Sequence, residues 1–511
     1  MDTPTLVHND DSYSCLGHMR LGHARADLEQ WVDLICDTPM QAFVACAAQP
    51  DHCYYETKCG EQIGCRAGIR IDSALLWHVQ KVYAELRSEG TDQLRVWAQR
   101  THARGRQFLA GIRMSDAHHR WTHNIPAEEY FLYPKYTFDH PELRIRKADG
   151  SLDVTLDYAN ETVREYRFAI IEEIVRNYPI DGLELDFMRW CSHFPFPATP
   201  EHIGIMTDYL RRIRRLLDDE AARRNDGRRL IIGVRVPRTI AECAPNGLDP
   251  ATWMREGLAD FLSPCAFLFT DMNVALDEWV AMAKGTGCRV LHSIQPWWAG
   301  SWSDNGKYNA AFSIEDAEYR AYAANGWVSG AHGMHSFNMC CELPGRTTEM
   351  QQALRMISDP AAAWAGPRHY QYFPTGEDNG ITGTEHTQRL HFKETGVPQT
   401  YRFIMGDGTR AGRITGRIGW RIQDAVCTDT WRVRLNGHEI PAEKIQALSC
   451  CHGCNLRPGG SLPAHFAYTV DMADIPAMAL HNELEITPLH LEPTWNGERR
   501  MNVVEAWCAD R

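Results

Sequence analysis

The side chains best suited to chemistry fall at the ends of short apolar runs. In Ile180–Trp190, I-D-G-L-E-L-D-F-M-R-W, Glu184 and Asp186 alternate with Leu183, Leu185 and Phe187, so an extended strand would send both carboxylates out of one face. Arg189 follows, placed to keep them ionised. Other runs end alike: Asn9, Asp10 and Asp11 after the first, Arg113, Asp116, His118 and His119 after Phe108–Met114, Arg235 after Leu230–Val236, and Gln295, Trp297 and Trp298 after Arg289–Ile294. His332, His335 and Asn338 come after Trp327–His332, read as the last run. Carboxylates, imidazoles, guanidinium groups and tryptophans furnish a sugar site, where aromatic faces stack on rings and an acid and a base flank the scissile bond. Tyr54, in the aromatic loop Gln49–Arg66, joins Trp297 as a candidate shelf for the leaving group.

A metal reading competes, because His118 and His119 with Asp10 and Asp186 offer donors of the kind used by barrel amidohydrolases. The first run lacks the H-x-H pair of those enzymes, so no metal and no other cofactor is expected. Cys451-x-x-Cys454 has ligand spacing but no second pair nearby, which favours plain thiols. No phosphate-cradling glycine loop occurs.

Positioning these residues requires strands that open on one face. About eight apolar runs alternate with helical patterns such as Asp27–Ile35, Leu75–Leu86, Gln93–Arg104 and Val163–Asn177, the count of an α/β fold of the (β/α)8 barrel type. The polar strand ends would then meet at the barrel mouth. Near Asp359 the texture changes to short strands between Gly, Asn and Pro, which predicts a catalytic barrel over 1–358 and an antiparallel β-sandwich over 359–511, with Trp495 and Trp507 as candidate core.

Composition narrows the partners. The 511 residues are 44% hydrophobic and 23% charged with a net charge of -13, an ordinary globular balance that argues against nucleic acid. The run Arg211, Arg212, Arg214 and Arg215 is followed by Asp218, Asp219 and Glu220 and reads as a solvated helix face. No apolar run approaches the roughly 20 residues needed to span a bilayer. Met1–Asp11 has no apolar signal core, so a cytoplasmic location is expected, and 17 scattered cysteines fit reduced thiols.

The motifs N-D-D, R-M-S-D-A-H-H, D-G-L-E-L-D-F-M-R-W and H-S-F-N resemble those of glycoside-hydrolase-like barrels, and within them the inverting exo-sialidases of glycoside hydrolase family 156. The resemblance implies a barrel with a β-sandwich, a homodimer and a sialylated glycan as substrate. It also implies an Asp base on Asp10, with Asp11 as the alternative in register, and a His acid on His118, with His119 and His123 as competitors. Arg113 and Asn338 would bind substrate, with Glu184, Asp186, Arg189 and His335 as further contacts. An imidazolium suits such a substrate, because the sialoside's own carboxylate favours the protonated ring. The alternatives are a glycosidase of other specificity using Glu184 and Asp186 as acid and base, and a noncatalytic carbohydrate-binding barrel.

Overall fold

The computed structural model describes residues 3–120, 126–266, 270–295, 297–301, 308–339, 347–372, 388, 390–450, 465–475 and 477–511. Eight parallel strands close on themselves: β1 (Leu6–Asp10), β2 (Ala42–Gln49), β3 (Gln107–Arg113), β4 (Gly182–Asp186), β5 (Ile231–Pro237), β6 (Phe261–Cys265), β7 (Arg289–Ile294) and β8 (Gly333–Phe337). β1 pairs with both β2 and β8, which leaves the barrel without an edge. Helices pack outside, among them α1 (Ala24–Cys36), α2 (Glu161–Asn177), α3 (Pro200–Arg224) and α4 (Asp316–Val328). Thr199 caps α3 by accepting from the His202 amide, with Pro200 in its first turn.

Alternation decides what fills the barrel. Val7, Ala42, Val44, Leu109, Ile231, Phe261 and Leu291 form an apolar floor of their own. The Phe261 ring occupies the space beside Gly233 that a Cβ would need, so glycine there is a packing requirement. Two residues further along the strands the interior turns polar, with Asn9, Glu184, Ser293 and His335.

One strand departs from the sequence reading. Trp327 and Val328 end α4, and the eighth strand is Gly333–Phe337. Ser329-Gly330, with Gly330 at φ 83°, breaks the helix. His332 therefore sits at the closed end, where its Nδ1 accepts from the Val290 amide, and His335 lies inside the strand.

After the helix Thr347–Ser358 the chain builds two antiparallel sheets. One orders Arg368–Tyr372, Arg500–Asp510, Ile414–Gln423, His465–Asp471 and Gln446–Cys450, and the other Gln399–Ile404, His481–His490, Thr430–Leu435 and His438–Ile440. Their core is led by Trp420, Tyr370, Ile486 and Val433. Trp495 and Trp507, expected there, are 42% and 50% exposed. Trp507 stacks instead on His369, with ring centroids 3.4 Å apart. Asn325 of α4 ties the barrel to these sheets, donating to the Ile404 carbonyl and accepting from the Gly406 amide.

The arginine run of α3 is largely committed to acids, Arg211 to Glu256, Arg212 to Glu165 and Arg214 to Asp218. No helix among the described residues is long and apolar enough to cross a membrane, and the twelve cysteines whose side chains are described are free thiols. Cys451, His452 and Cys454 lie outside the described residues.

Candidate active site

Above the apolar floor a buried carboxylate is held from two sides. Glu184 accepts from Asn9 Nδ2 at 2.6 Å and lies 2.7 Å from His335 Nε2, while the other nitrogen of His335 is 3.1 Å from Ser293 Oγ. Asp186, one step higher on β4, accepts from Arg235 Nη1 at 2.6 Å and from the Met188 amide. The Arg235 guanidinium stacks 3.5 Å from the Phe337 ring. Glu184, Asp186, Arg235 and His335 are all buried, paired as Glu184 with His335 and Asp186 with Arg235. They form the base of the site.

The open part lies beside them, a cavity of about 210 Å³ whose walls include Asp11, Tyr54, Arg113, His118, Arg189 and Asn338. Three elements converge to build it. A bulge between Cys46 and Ala48 re-aims the end of β2, and Gln49 there accepts from Arg113 Nη1 at 2.8 Å. Buried Arg167 of α2 grips the end of β3 by donating to the Arg113 carbonyl at 2.9 Å and to the Pro50 carbonyl. Ser12, Trp190 and Asn338, which follow β1, β4 and β8, all take left-handed backbone at φ 64°, 61° and 53°. Such conformations cost non-glycine residues of order 1–3 kcal/mol and persist only where surroundings impose them.

His118 is the centre of the polar network. Its Nδ1 lies 2.6 Å from Asp116 Oδ1 and its Nε2 lies 2.7 Å from Arg189 Nη2. A guanidinium can only donate, so Nε2 accepts and the ring proton sits on Nδ1, directed at Asp116. Arg113 Nη1 reaches the other oxygen of Asp116 at 3.1 Å. Burial pushes the Asp116 carboxyl up, but His118, Arg113 and Arg189 outweigh it and hold the acid well below the usual carboxylate range. Burial lowers His118, Arg189 and Arg113 add to that, and the opposing pull of Asp116 does not cancel them, so the ring is neutral in this arrangement. Arg189 is brought down to about 10 by burial and by Arg113 beside it.

The site residues expected from the sequence divide. Arg113, His118, Arg189, Asn338 and Tyr54 line the cavity, with Tyr54 buried in its wall. Glu184, Asp186 and His335 lie in the network below. Asp10 does not face the cavity: it leaves the outer side of β1, is fully buried, and accepts from the Trp31 indole of α1 at 2.9 Å and from the Ser12 amide at 2.7 Å. Asp11, the alternative in register, stands on the wall, oriented by the Tyr13 amide at 3.0 Å, the Ser14 amide at 2.8 Å and the Ser14 hydroxyl at 2.7 Å. Counting by twos from inward Val7 through Asn9 arrives at Asp11, a signal the sequence carries. His119 packs edge-on to Phe138. His123 and the Trp297 side chain lie outside the described residues. The donors of the metal reading do not converge, because Asp10 and Asp186 leave opposite sides of the barrel wall, and no metal-holding group of three His, Cys, Asp or Glu occurs among the described residues.

No family model and no curated protein sequence matches the chain. Similar solved structures include three glycoside hydrolases. The maltogenic α-amylase AmyB from Thermotoga neapolitana is 11% identical with a TM-score of 0.39, over 95% of this chain and 99% of that one. The α-galactosidase AgaB from Geobacillus stearothermophilus is 10% identical with a TM-score of 0.35, over 95% and 55%. The β-hexosaminidase from Streptomyces plicatus is 11% identical with a TM-score of 0.40, over 70% and 64%. The chain thus spans little more than half of the galactosidase and under two thirds of the hexosaminidase.

Proposed function

We propose that the protein is an exo-acting glycoside hydrolase that removes a terminal sialic acid with inversion. The observation that carries this reading is the joint lining of one small cavity by two arginines, Arg113 and Arg189, an aspartate, Asp11, and an imidazole, His118. Paired guanidinium groups suit the carboxylate of a sialoside. Asn338 Oδ1, buried and without a hydrogen-bond partner, is free to accept from a sugar hydroxyl or amide N–H. A cavity of about 210 Å³ matches a single sugar residue better than a polysaccharide chain.

In the proposed reaction Asp11 takes a proton from water as the water oxygen attacks the anomeric carbon. The bond to the leaving-group oxygen breaks, and that oxygen takes the Nε2 proton of His118 in its imidazolium form, which leaves the ring neutral. One displacement gives the opposite anomer, and acid and base of inverting enzymes stand roughly 6.5–9.5 Å apart to admit the water. Asp116 holds the His118 ring from Nδ1 throughout. The rival assignment of acid and base to Glu184 and Asp186 is disfavoured, because each is buried and engaged by His335 and Asn9 or by Arg235.

The test is a panel of chromogenic glycosides that includes a sialoside, followed by time-resolved NMR of the released sugar. Sialoside cleavage with the opposite anomer appearing first is expected. Cleavage of neutral sugars alone, or initial retention, overturns the reading, and sugar binding without any cleavage would make the barrel a lectin.

A further inference from the structure

The hydrogen bond between Arg189 and His118 raises a difficulty for the acid role and suggests its solution. With Nε2 accepting from Arg189 and the ring proton committed to Asp116, His118 has no proton to offer a leaving group. We infer that Arg189 is an anion-operated latch: it holds His118 as an acceptor in the empty site and lets go when a carboxylate on the substrate enters the cavity. The inference rests on the reading of this cavity as a site for anionic sugars, and adds that charge capture and arming of the acid are one event.

Geometry supports the release. The Arg189 guanidinium lies 5.9 Å from the Trp190 ring and 5.8 Å from that of Phe337, so aromatic faces as well as His118 surround the cation. Its bond to His118 is made to a neutral ring, whereas a carboxylate offers a charge-assisted, two-point partner. Asp116, the acid closest to this network, is already shared by His118 and Arg113. An incoming anion is therefore the better partner.

Once Arg189 turns to the substrate, Nε2 is uncovered, and a positive neighbour has been replaced by a negative one. Both changes favour the imidazolium. The ring takes its second proton from solvent, balancing the charge of the bound carboxylate, and that proton later passes to the leaving-group oxygen. Among the described residues the charged groups that act on His118 are Asp116, Arg113 and Arg189, and Arg189 is the one bonded to Nε2. A neutral glycoside could occupy the cavity without releasing the latch, so specificity would arise from failure to arm as well as from weak binding.

The experiment uses the full chain with ring-15N histidine, the His118 signals being assigned by their loss in His118→Gln. It is titrated with pH alone, with sialic acid, and with sialic acid methyl ester, which keeps the ring and removes the charge. The expected result is a rise in the His118 pKa by about one unit, tenfold in proton affinity, with the acid and none with the ester. Arg189→Gln should raise the pKa of the empty site and shrink the contrast between acid and ester, with Arg189→Lys intermediate. If Arg189→Gln fails to fold, wild-type kinetics serve: the alkaline limb of kcat should lie above that of kcat/KM, since the first reports the complex and the second the free enzyme. Equal shifts with acid and ester, or binding of the acid without a shift, overturn the latch. If sialic acid does not bind, acetate is the probe, and a site that binds neither carboxylate also overturns it. The two readings separate cleanly: a carboxylate-dependent shift without turnover removes the sialidase and keeps the latch, and sialoside turnover without a shift does the reverse.

Discussion

Glu184 of β4 and His335 of β8 meet inside the barrel, Oε2 to Nε2 at 2.7 Å, with neither side chain exposed to solvent. Removing one member of such a pair leaves the other buried and uncompensated, at a cost of about 3–5 kcal/mol. Glu184→Ala is expected to lose stability on that scale in urea unfolding. Glu184→Gln keeps the shape and the contact with Asn9, so it should fold and retain sialoside turnover. A stable Glu184→Gln that is inactive and recovers with added azide would return the catalytic role to this carboxylate.

Asp10 and Asp11 are adjacent in sequence and opposite in expected effect. Asp10→Asn disturbs acceptors for the Trp31 indole and the Ser12 amide and should cost about 1–3 kcal/mol with turnover preserved. Asp11→Asn keeps an acceptor for the Tyr13 and Ser14 amides but removes the base, and should slow turnover about 10²–10⁴-fold with little change in Tm. Reversal of the two outcomes would place the base on the outer face of β1.

A pH-dependent contact joins the barrel to the C-terminal sheets. Buried His369 lies 3.1 Å from Glu318 of α4 and 3.4 Å from Glu505. Burial lowers its pKa, but the two carboxylates outweigh that and raise it. A raised histidine stabilises fully below its unfolded value of about 6.5 and loses that contribution as pH climbs through the folded value. Burial raises Glu505, but His369 and Arg421 outweigh it and depress it. Its share is present above its unfolded value of about 4.3 and fades as pH falls through the folded one. Chemical denaturation across pH should therefore show a plateau between roughly 4.3 and 6.5 from this pair, then a decline on the alkaline side. His369→Gln should flatten that decline, and an unchanged profile would remove the contact from the stability of the seam.

Exhaustive dialysis against a chelator is expected to leave sialoside turnover unchanged, because Asp186 is committed to Arg235 and both ring nitrogens of His118 are occupied. Loss of activity that one divalent ion restores would revive the metal-dependent reading.

Much of the barrel was legible because buried parallel strands read as apolar runs, and β7 falls on Arg289–Ile294 as expected. The last strand is harder to place, because W-V-S-G-A-H looks as extended as G-M-H-S-F and only the helix break at Ser329-Gly330 separates them. The slip of one residue at Asp10 has a related cause. A period of two assigns sides only once the inward residue is known, and Val7 is revealed as inward by its partners on other strands. Arg189 could be named from its position after β4, but its bond to His118 joins segments 71 residues apart, and neither short run announces it. Trp507 is half exposed and stacks on His369, a place that a large apolar side chain does not announce in sequence.

The left-handed residues Ser12, Trp190 and Asn338 at the barrel mouth carry a practical consequence for engineering. Glycine accepts that backbone at no steric cost, so Ser12→Gly and Asn338→Gly are candidate routes to a more heat-resistant protein. Ser12→Gly would also slacken the rim that aims Asp11, and Asn338→Gly would delete the amide that faces the sugar, so improved endurance is expected to come with poorer turnover.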